Sequence, residues 1–346
     1  MKVKPAFIQA RERLTGLAAH LHPASSASRQ PVRSMLSSPE RNMETQAWAK
    51  QQRDRYKSTL QSFTSSNDDF QNLYVASKSG SDGEPPSSSS PLKHLTTLYV
   101  LDSSFNPPTK AHLTLARNAL LHDHGTQKAG SYRMLFLLAT INADKPTKPA
   151  PFEDRLVMMS LLANQLAAEF SDQDLEVDVG VTKKPFYMDK AVAIDDAGVY
   201  GGAQQVHITG YDTIVRIFNA KYYPEESGLR VLEPFLGKHR LRVCYRIGDD
   251  EAKDRAEQDQ YVEGIGNGSR EDEGMKKEWR KHVELVDDAA EVKGVSSTKV
   301  RQAAVDRRKQ DLEPILGKDI AEYVWSSELY TDAESVKKPG VVQPRK

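Results

Sequence analysis

Cysteine is almost missing from this chain: Cys244 is the only one in 346 residues. A single thiol excludes an intramolecular disulfide framework and a cysteine-built metal cage, and it suits a reducing compartment. Cys244 falls in the alternating run Leu241, Val243, Tyr245, so a buried core thiol is expected rather than a nucleophile. An excess of charge is missing too. Lys+Arg and Asp+Glu stand at 48 each, which leaves no net field to draw nucleic acid or an acidic membrane. No apolar run approaches the roughly 18 residues that span a bilayer. These absences predict a soluble protein with neither a membrane nor a nucleic-acid partner, long enough for one large domain or two small ones.

The N-terminal region differs from the rest. Residues 1–39 are basic, with Glu12 the only acid, and Phe7, Ile8, Leu14, Leu17 and Leu21 fit an amphipathic helix. That composition matches a mitochondrial transit peptide. The preferred alternative is an arm that packs on the domain or binds a protein partner, in a cytoplasmic or nuclear protein. Residues 40–63 read as a second helix, with Trp48, Tyr56 and Leu60 on its packing face. Residues 76–92 carry serines, prolines and glycines and read as a flexible loop. The expected division is therefore an extension over residues 1–95, a main domain over 96–332 and a polar tail over 333–346.

The stretch from Thr97 to Leu113 organises the main domain. Leu98 to Leu101 reads as a buried strand, which breaks at Asp102-Ser103-Ser104 before Pro107-Pro108. Thr109 is placed to cap a helix through Leu113, Leu115, Ala116 and Leu120. A strand that turns into a helix N-terminus makes an anion site, because free N–H groups and the positive end of the dipole face whatever lies above the strand. Thr109 and His112, three residues apart, share the first turn.

The pattern repeats downstream. Met134 to Ala139 is a second apolar run, followed by a loop with Lys145 and Lys148, two cations at the mouth of a strand that can meet phosphate or stay solvated. Phe152 to Phe170 traces a helix with Arg155 on the side opposite its apolar face. Leu175, Val177, Val179 and Val181 alternate as a half-exposed strand should, and Phe186-Tyr187 opens the next helix. Val206 to Thr209 ends at Gly210-Tyr211-Asp212, where glycine admits a close backbone approach and the carboxylate offers two acceptors. A strand at Leu241 to Tyr245 precedes charge-dense residues 249–281, read as a mobile loop despite the cluster Gly264-Ile265-Gly266-Asn267-Gly268. After a last strand at His282 to Val286 come Ser296, Ser297 and Thr298, with Arg301 one turn into a helix, where a guanidinium can grip phosphate oxygens. This alternation predicts an α/β fold with a doubly wound parallel sheet. In such a sheet the candidate sites after residues 102, 209 and 293 open onto one crevice.

The wording Ser103-Ser104-Phe105-Asn106-Pro107-Pro108-Thr109-Lys110-Ala111-His112 resembles the signature of nicotinamide mononucleotide adenylyltransferases, within the nucleotidylyltransferase superfamily marked by (H/T)xxH. Ser103 stands where the family commonly has glycine. Gly210-Tyr211-Asp212 and Val295-Ser296-Ser297-Thr298-Lys299-Val300-Arg301 are similar to two further motifs of that family, and Leu329-Tyr330 to its C-terminal ending. The resemblance covers residues 96–330 and points to a divergent fungal branch.

It implies a Rossmann-like nucleotidylyltransferase fold and transfer of AMP from ATP to nicotinamide mononucleotide by direct in-line attack, forming NAD and pyrophosphate. It assigns His112 and Thr109 to the α-phosphate. Arg301, with Ser296, Ser297 and Thr298, falls to the leaving phosphates. Ser103, Ser104 and Phe105 fall to the nucleotide, and Gly210 and Asp212 to its ribose. Mg2+ is expected on the triphosphate, with no protein metal cage. Family members stack the acceptor on tryptophans in mid-domain, whereas this chain has Trp only at 48, 279 and 325. Phe186 and Tyr187, with Lys145 and Lys148, are the expected substitutes. The competing functions are a transferase of the same fold with another phosphate acceptor, or a regulator that binds or hydrolyses ATP.

Overall fold

The structure, a computed structural model, describes residues 38–78, 85–122, 128–140, 150–248, 250–287 and 295–336. Residues 42–346 form one compact unit, and residues 1–41 fall in another, of which only the start of a helix is described.

A seven-stranded sheet runs through the compact unit: β1 (Phe70–Ala76), β2 (Thr97–Asp102), β3 (Tyr132–Ala139), β4 (Val177–Thr182), β5 (Gln204–Gly210), β6 (Arg240–Cys244) and β7 (Val283–Val286). Their order across the sheet is β1-β4-β3-β2-β5-β6-β7. Every pairing is parallel except β1 with β4. Set the antiparallel edge strand aside and the order is that of a doubly wound nucleotide-binding sheet, whose winding reverses between its first and fourth strands. Here that reversal falls between β2 and β5, adjacent in register with Leu101 opposite Ile208.

The helices are α1 (Ser38–Ser65), α2 (Lys110–His122), α3 (Phe152–Glu169), α4 (Tyr187–Asp196), α5 (Tyr211–Ile217), α6 (Glu233–Lys238), α7 (Glu251–Asn267), α8 (Ser297–Val305), α9 (Glu313–Leu316) and α10 (Lys318–Ser326). The central strands are covered on both faces, which explains their unbroken apolar runs. One core cluster gathers Tyr99, Leu101, Phe136, Leu156, Met158 and Val179; another gathers Ile214, Leu241, Val243, Val262 and Trp279.

Three expectations are corrected. The main domain does not start at residue 96: β1 pairs with β4 from Phe70↔Thr182 to Ala76↔Val177, and Tyr56 of α1 is fully buried with its hydroxyl 2.6 Å from Ser160. The predicted half-exposed strand is β4, buried along its whole length. Its polar position Asp178 points inward because Arg133 meets it with two hydrogen bonds of 2.6 and 2.8 Å. Asp178 also accepts from Tyr200 at 3.0 Å. The supposed mobile loop over 249–281 contains the 17-residue helix α7. It begins at Asp250, whose side chain accepts from the Lys253 N–H, and stops at Gly268, held at φ 83°. Left-handed backbone of that kind is a helix stop that glycine adopts without strain. Cys244 is buried, as expected. The two readings of residues 1–37 and the tail beyond 336 lie outside the described residues.

Candidate active site

β2 ends at Asp102, and the chain turns through Ser103 to Pro108 into α2. Phe105 is fully buried with φ 43° and lies against His112, ring centroids 5.1 Å apart. Phe136 backs it at 5.8 Å. The Phe105 side chain is thus closed to a nucleotide; it is the platform under the histidine.

His112 is held at both nitrogens. Its Nδ1 accepts the Thr109 backbone N–H at 3.0 Å, with the Thr109 hydroxyl also 3.0 Å away. A backbone N–H can only donate, so Nδ1 is unprotonated and the neutral ring carries its proton on Nε2. Nε2 lies 3.0 Å from the Ser103 hydroxyl. Burial pushes the imidazole down to about 4, partly offset by the Thr109 backbone contact, so the ring is a neutral donor at neutral pH. Thr109 itself is 1% exposed. Its hydroxyl does not face an anion as expected; it orients His112. Ser104 is exposed at the rim.

α8 comes to the same place. Ser296 caps it, accepting from the Lys299 N–H at 3.3 Å. Ser297 donates its hydroxyl to the Pro107 carbonyl at 2.8 Å, and Arg301 Nη1 donates to the Asn106 carbonyl at 2.8 Å. Arg301 Nη2 donates to the Thr298 hydroxyl at 3.1 Å and Nε to the Ser335 carbonyl at 2.7 Å. Two segments about 190 residues apart are therefore tied together by direct hydrogen bonds, with the N-termini of α2 and α8 at one opening.

Gly210 ends β5, beside β2 in the sheet. Its φ of −89° needs no glycine, and a Cβ there would meet nothing within 4 Å. The protein's own packing gives no reason for glycine here, which leaves open space over the backbone at the switch point. Asp212 is exposed in the first turn of α5, 3.2 Å from Arg246 Nε. Arg246 was missed in the sequence; the signal available was its place just beyond β6, at the same sheet edge.

The two aromatics divide. Phe186 is 38% exposed at the start of α4. Tyr187 turns inward, its ring 5.9 Å from His207, and burial raises its hydroxyl well above the ordinary range. A further pair escaped sequence reading: Lys190 of α4 bonds Asp102 at the end of β2, both nearly buried. It pins α4 beside the crevice, and a lysine three residues from Tyr187 gave no sign of it. Lys145 and Lys148 lie outside the described residues. Among the described residues no group of three His, Cys, Asp or Glu could hold a metal, and no helix is long and apolar enough to cross a membrane.

A phosphate-ready pair of helix N-termini at the switch point of a doubly wound sheet is the site of a nucleotide-transferring enzyme. The sequence model of the cytidylyltransferase-like family matches residues 100–303, more than half of the chain, and the chain belongs to that family. Within it, the Schizosaccharomyces pombe protein named "Putative nicotinamide mononucleotide adenylyltransferase" is 33% identical over 224 residues, 64% of this chain and 82% of that one. The chain is a member of that adenylyltransferase family. Two solved structures of Plasmodium falciparum nicotinic acid mononucleotide adenylyltransferase are also similar. The complex with NaAD has a TM-score of 0.42 at 11% identity, and the complex with APC 0.41 at 12%. Each covers 68% of this chain and 97% of the other. At that distance neither bears on the chemistry, and the fold rests on the strand order above.

Proposed function

We propose that this enzyme transfers AMP from ATP to nicotinamide mononucleotide. The observation that carries the reading is the pair of hydrogen bonds from Ser297 and Arg301 to the carbonyls of Pro107 and Asn106, which join the two anion-binding helix ends. An acceptor phosphate oxygen attacks the α-phosphorus, the bond to the bridging oxygen breaks, and its electron pair leaves on pyrophosphate. The chain supplies position and charge rather than a nucleophile. His112 presents its Nε2–H to the α-phosphate, where negative charge grows as the bond breaks. The α8 N-terminus with Ser296, Ser297, Thr298 and Arg301 holds the leaving phosphates. The ribose lies over Gly210, with Asp212 accepting from its hydroxyls. Phe186 offers an exposed ring on the acceptor side.

The side chains joined at the two helix ends are the hydroxyls of Ser297 and Thr298 and the guanidinium of Arg301, so Mg2+ fits as an ion carried on the phosphate oxygens with water completing its shell. It would neutralise triphosphate charge. The test follows label: ATP labelled at the α-phosphate should pass it to the dinucleotide, and ATP labelled at the γ-phosphate should pass it to pyrophosphate. Label in free AMP or orthophosphate without dinucleotide would refute the proposal and favour hydrolysis.

A further inference from the structure

Lys190 of α4 and Asp102 of β2 carry opposite charges out of water at the end of the strand. Lys190 Nζ bonds Asp102 Oδ2, with the two side chains 7% and 8% exposed. Neither has another ion-pair or side-chain hydrogen-bond partner among the described residues. A buried ion pair adds little net stability, because the desolvation of both charges offsets their attraction. What it adds over an apolar contact is direction. Hydrophobic burial is non-directional, whereas a charge-assisted hydrogen bond fixes one atom against another.

Each residue of the pair is tied to one side of the proposed reaction. α4 opens at Phe186, whose exposed ring is the proposed acceptor platform. Gln205 holds the later part of that helix, donating from Nε2 to the Ala191 carbonyl and to Asp195 Oδ1, each at 2.9 Å. The first turn lacks such a hold: Phe186 provides no side-chain cap, and Met188 joins the core through apolar packing. Lys190 supplies it. Its N–H closes the first turn on the Phe186 carbonyl at 3.0 Å, its Nζ lies 5.2 Å from the centroid of the Tyr187 ring, and its charge is anchored on Asp102. On the other side, Asp102 stands opposite Leu137 in the sheet, and the next N–H, of Ser103, donates to the Leu137 carbonyl at 3.3 Å. The Ser103 hydroxyl lies 3.0 Å from His112 Nε2. Phe186 and His112 are thus joined through Lys190, Asp102 and Ser103, with the ion pair as the link between helix and strand.

We infer that the Lys190–Asp102 ion pair positions the acceptor for transfer, by holding the first turn of α4 in register with the turn that carries His112. Both are positioning residues, acting through Phe186 and Ser103 rather than on the reacting atoms. The inference rests on the proposed adenylyl transfer to nicotinamide mononucleotide. In-line attack needs the reacting atoms held about 3–3.5 Å apart, and a misplacement of about 1 Å costs about a hundredfold in rate.

The experiment compares the full chain with Asp102→Asn and with the double variant Lys190→Met/Asp102→Leu. Urea unfolding and steady-state dinucleotide formation are measured on each preparation. Asp102→Asn keeps an oxygen for Nζ but strands the lysine's charge, so it should unfold at lower urea than the double variant, which buries no charge. Activity should fall in the opposite order. Asp102→Asn should lose about threefold in kcat, because a hydrogen bond survives, whereas the double variant should lose roughly tenfold or more. The double variant should also raise the KM for nicotinamide mononucleotide while leaving the KM for ATP within about twofold. A pair that only stabilised the fold would rank activity with stability, so the crossed order belongs to positioning. A folded double variant that keeps more than about a tenth of wild-type kcat overturns the inference, as does a kcat lower in Asp102→Asn than in the double variant. Should the double variant fail to fold, hydrogen exchange on the wild-type chain, followed by NMR, decides. Nicotinamide mononucleotide should slow exchange of the Lys190 and Ser103 amides together, and protection of one without the other overturns the inference. Dinucleotide formation by the wild type is scored first. Its absence refutes the proposed transfer and this inference together, whereas a crossed order that fails in an active enzyme refutes this inference alone.

Discussion

Replacing His112 by alanine separates chemistry from binding. The ring offers one donor, the Nε2–H, because Nδ1 is committed to the Thr109 N–H. In the resting site that donor meets Ser103 at 3.0 Å; in the reaction it would meet charge that develops on the α-phosphate. Removing a donor of that kind raises the barrier by roughly 3–4 kcal/mol, or about 10²–10³ in kcat. The KM for ATP should move little, since the proposed function puts the hold on the triphosphate ground state at the α8 N-terminus. Folding pays separately: the Thr109 N–H loses its acceptor and the Phe105 ring loses its cover, a loss of about 1–2 kcal/mol for groups that water can partly reach. Urea denaturation run beside steady-state dinucleotide formation keeps the two effects apart. The ring is neutral down to about pH 4, so protonation of His112 should not cut wild-type kcat between pH 8 and 5.5. A folded His112→Ala with kcat within threefold of wild type refutes the reasoning. So does a wild-type loss of activity near pH 6.5 that vanishes in the variant.

Other outcomes follow from the same geometry. Arg133→Met strands Asp178 and should destabilise the fold by roughly 3–5 kcal/mol in urea, while kcat in the folded fraction stays unchanged. His207 is fully buried and burial lowers it to about 3, whereas the unfolded imidazole takes its proton near 6.5. Protons therefore favour the unfolded chain, and stability should fall as pH drops from 6.5 toward 3; urea midpoints at pH 7.5 and 5 should converge in His207→Gln. Arg301→Ala should raise the KM for ATP and slow the reverse reaction with pyrophosphate at least tenfold, since charged contacts are lost. Phe186→Ala should raise the KM for nicotinamide mononucleotide several-fold, about 1 kcal/mol for a stacked ring, with the KM for ATP unchanged.

Much of the fold was legible because parallel strands buried on both faces leave continuous apolar runs, as at Met134 to Ala139. The turn at Ser103 to His112 and the cap at Ser296 were legible because their chemistry is local. What stayed hidden depends on distant partners. Asp178 looks like a solvent position until Arg133 and Tyr200 are seen on it. Arg155 looks exposed by helical spacing, yet it is buried at the N-terminal end of α3, where Tyr323 of α10 donates to the neighbouring Asp154 at 2.7 Å. The strand Phe70–Ala76 was lost because it pairs with β4 across more than 100 residues. The helix over Glu251–Asn267 was obscured by charge and by glycines at 264 and 266, whose cost its capping and the packing of Val262 and Ile265 offset.

The central claim is tested most directly by incubating the purified full-length chain with ATP, Mg2+ and a panel of acceptor phosphates, and identifying the products by mass. Nicotinamide mononucleotide should yield NAD and pyrophosphate in equal amounts, and His112→Ala should yield neither at a comparable rate. Dinucleotide formed only with a different acceptor, or ADP and orthophosphate with none, would contradict the account.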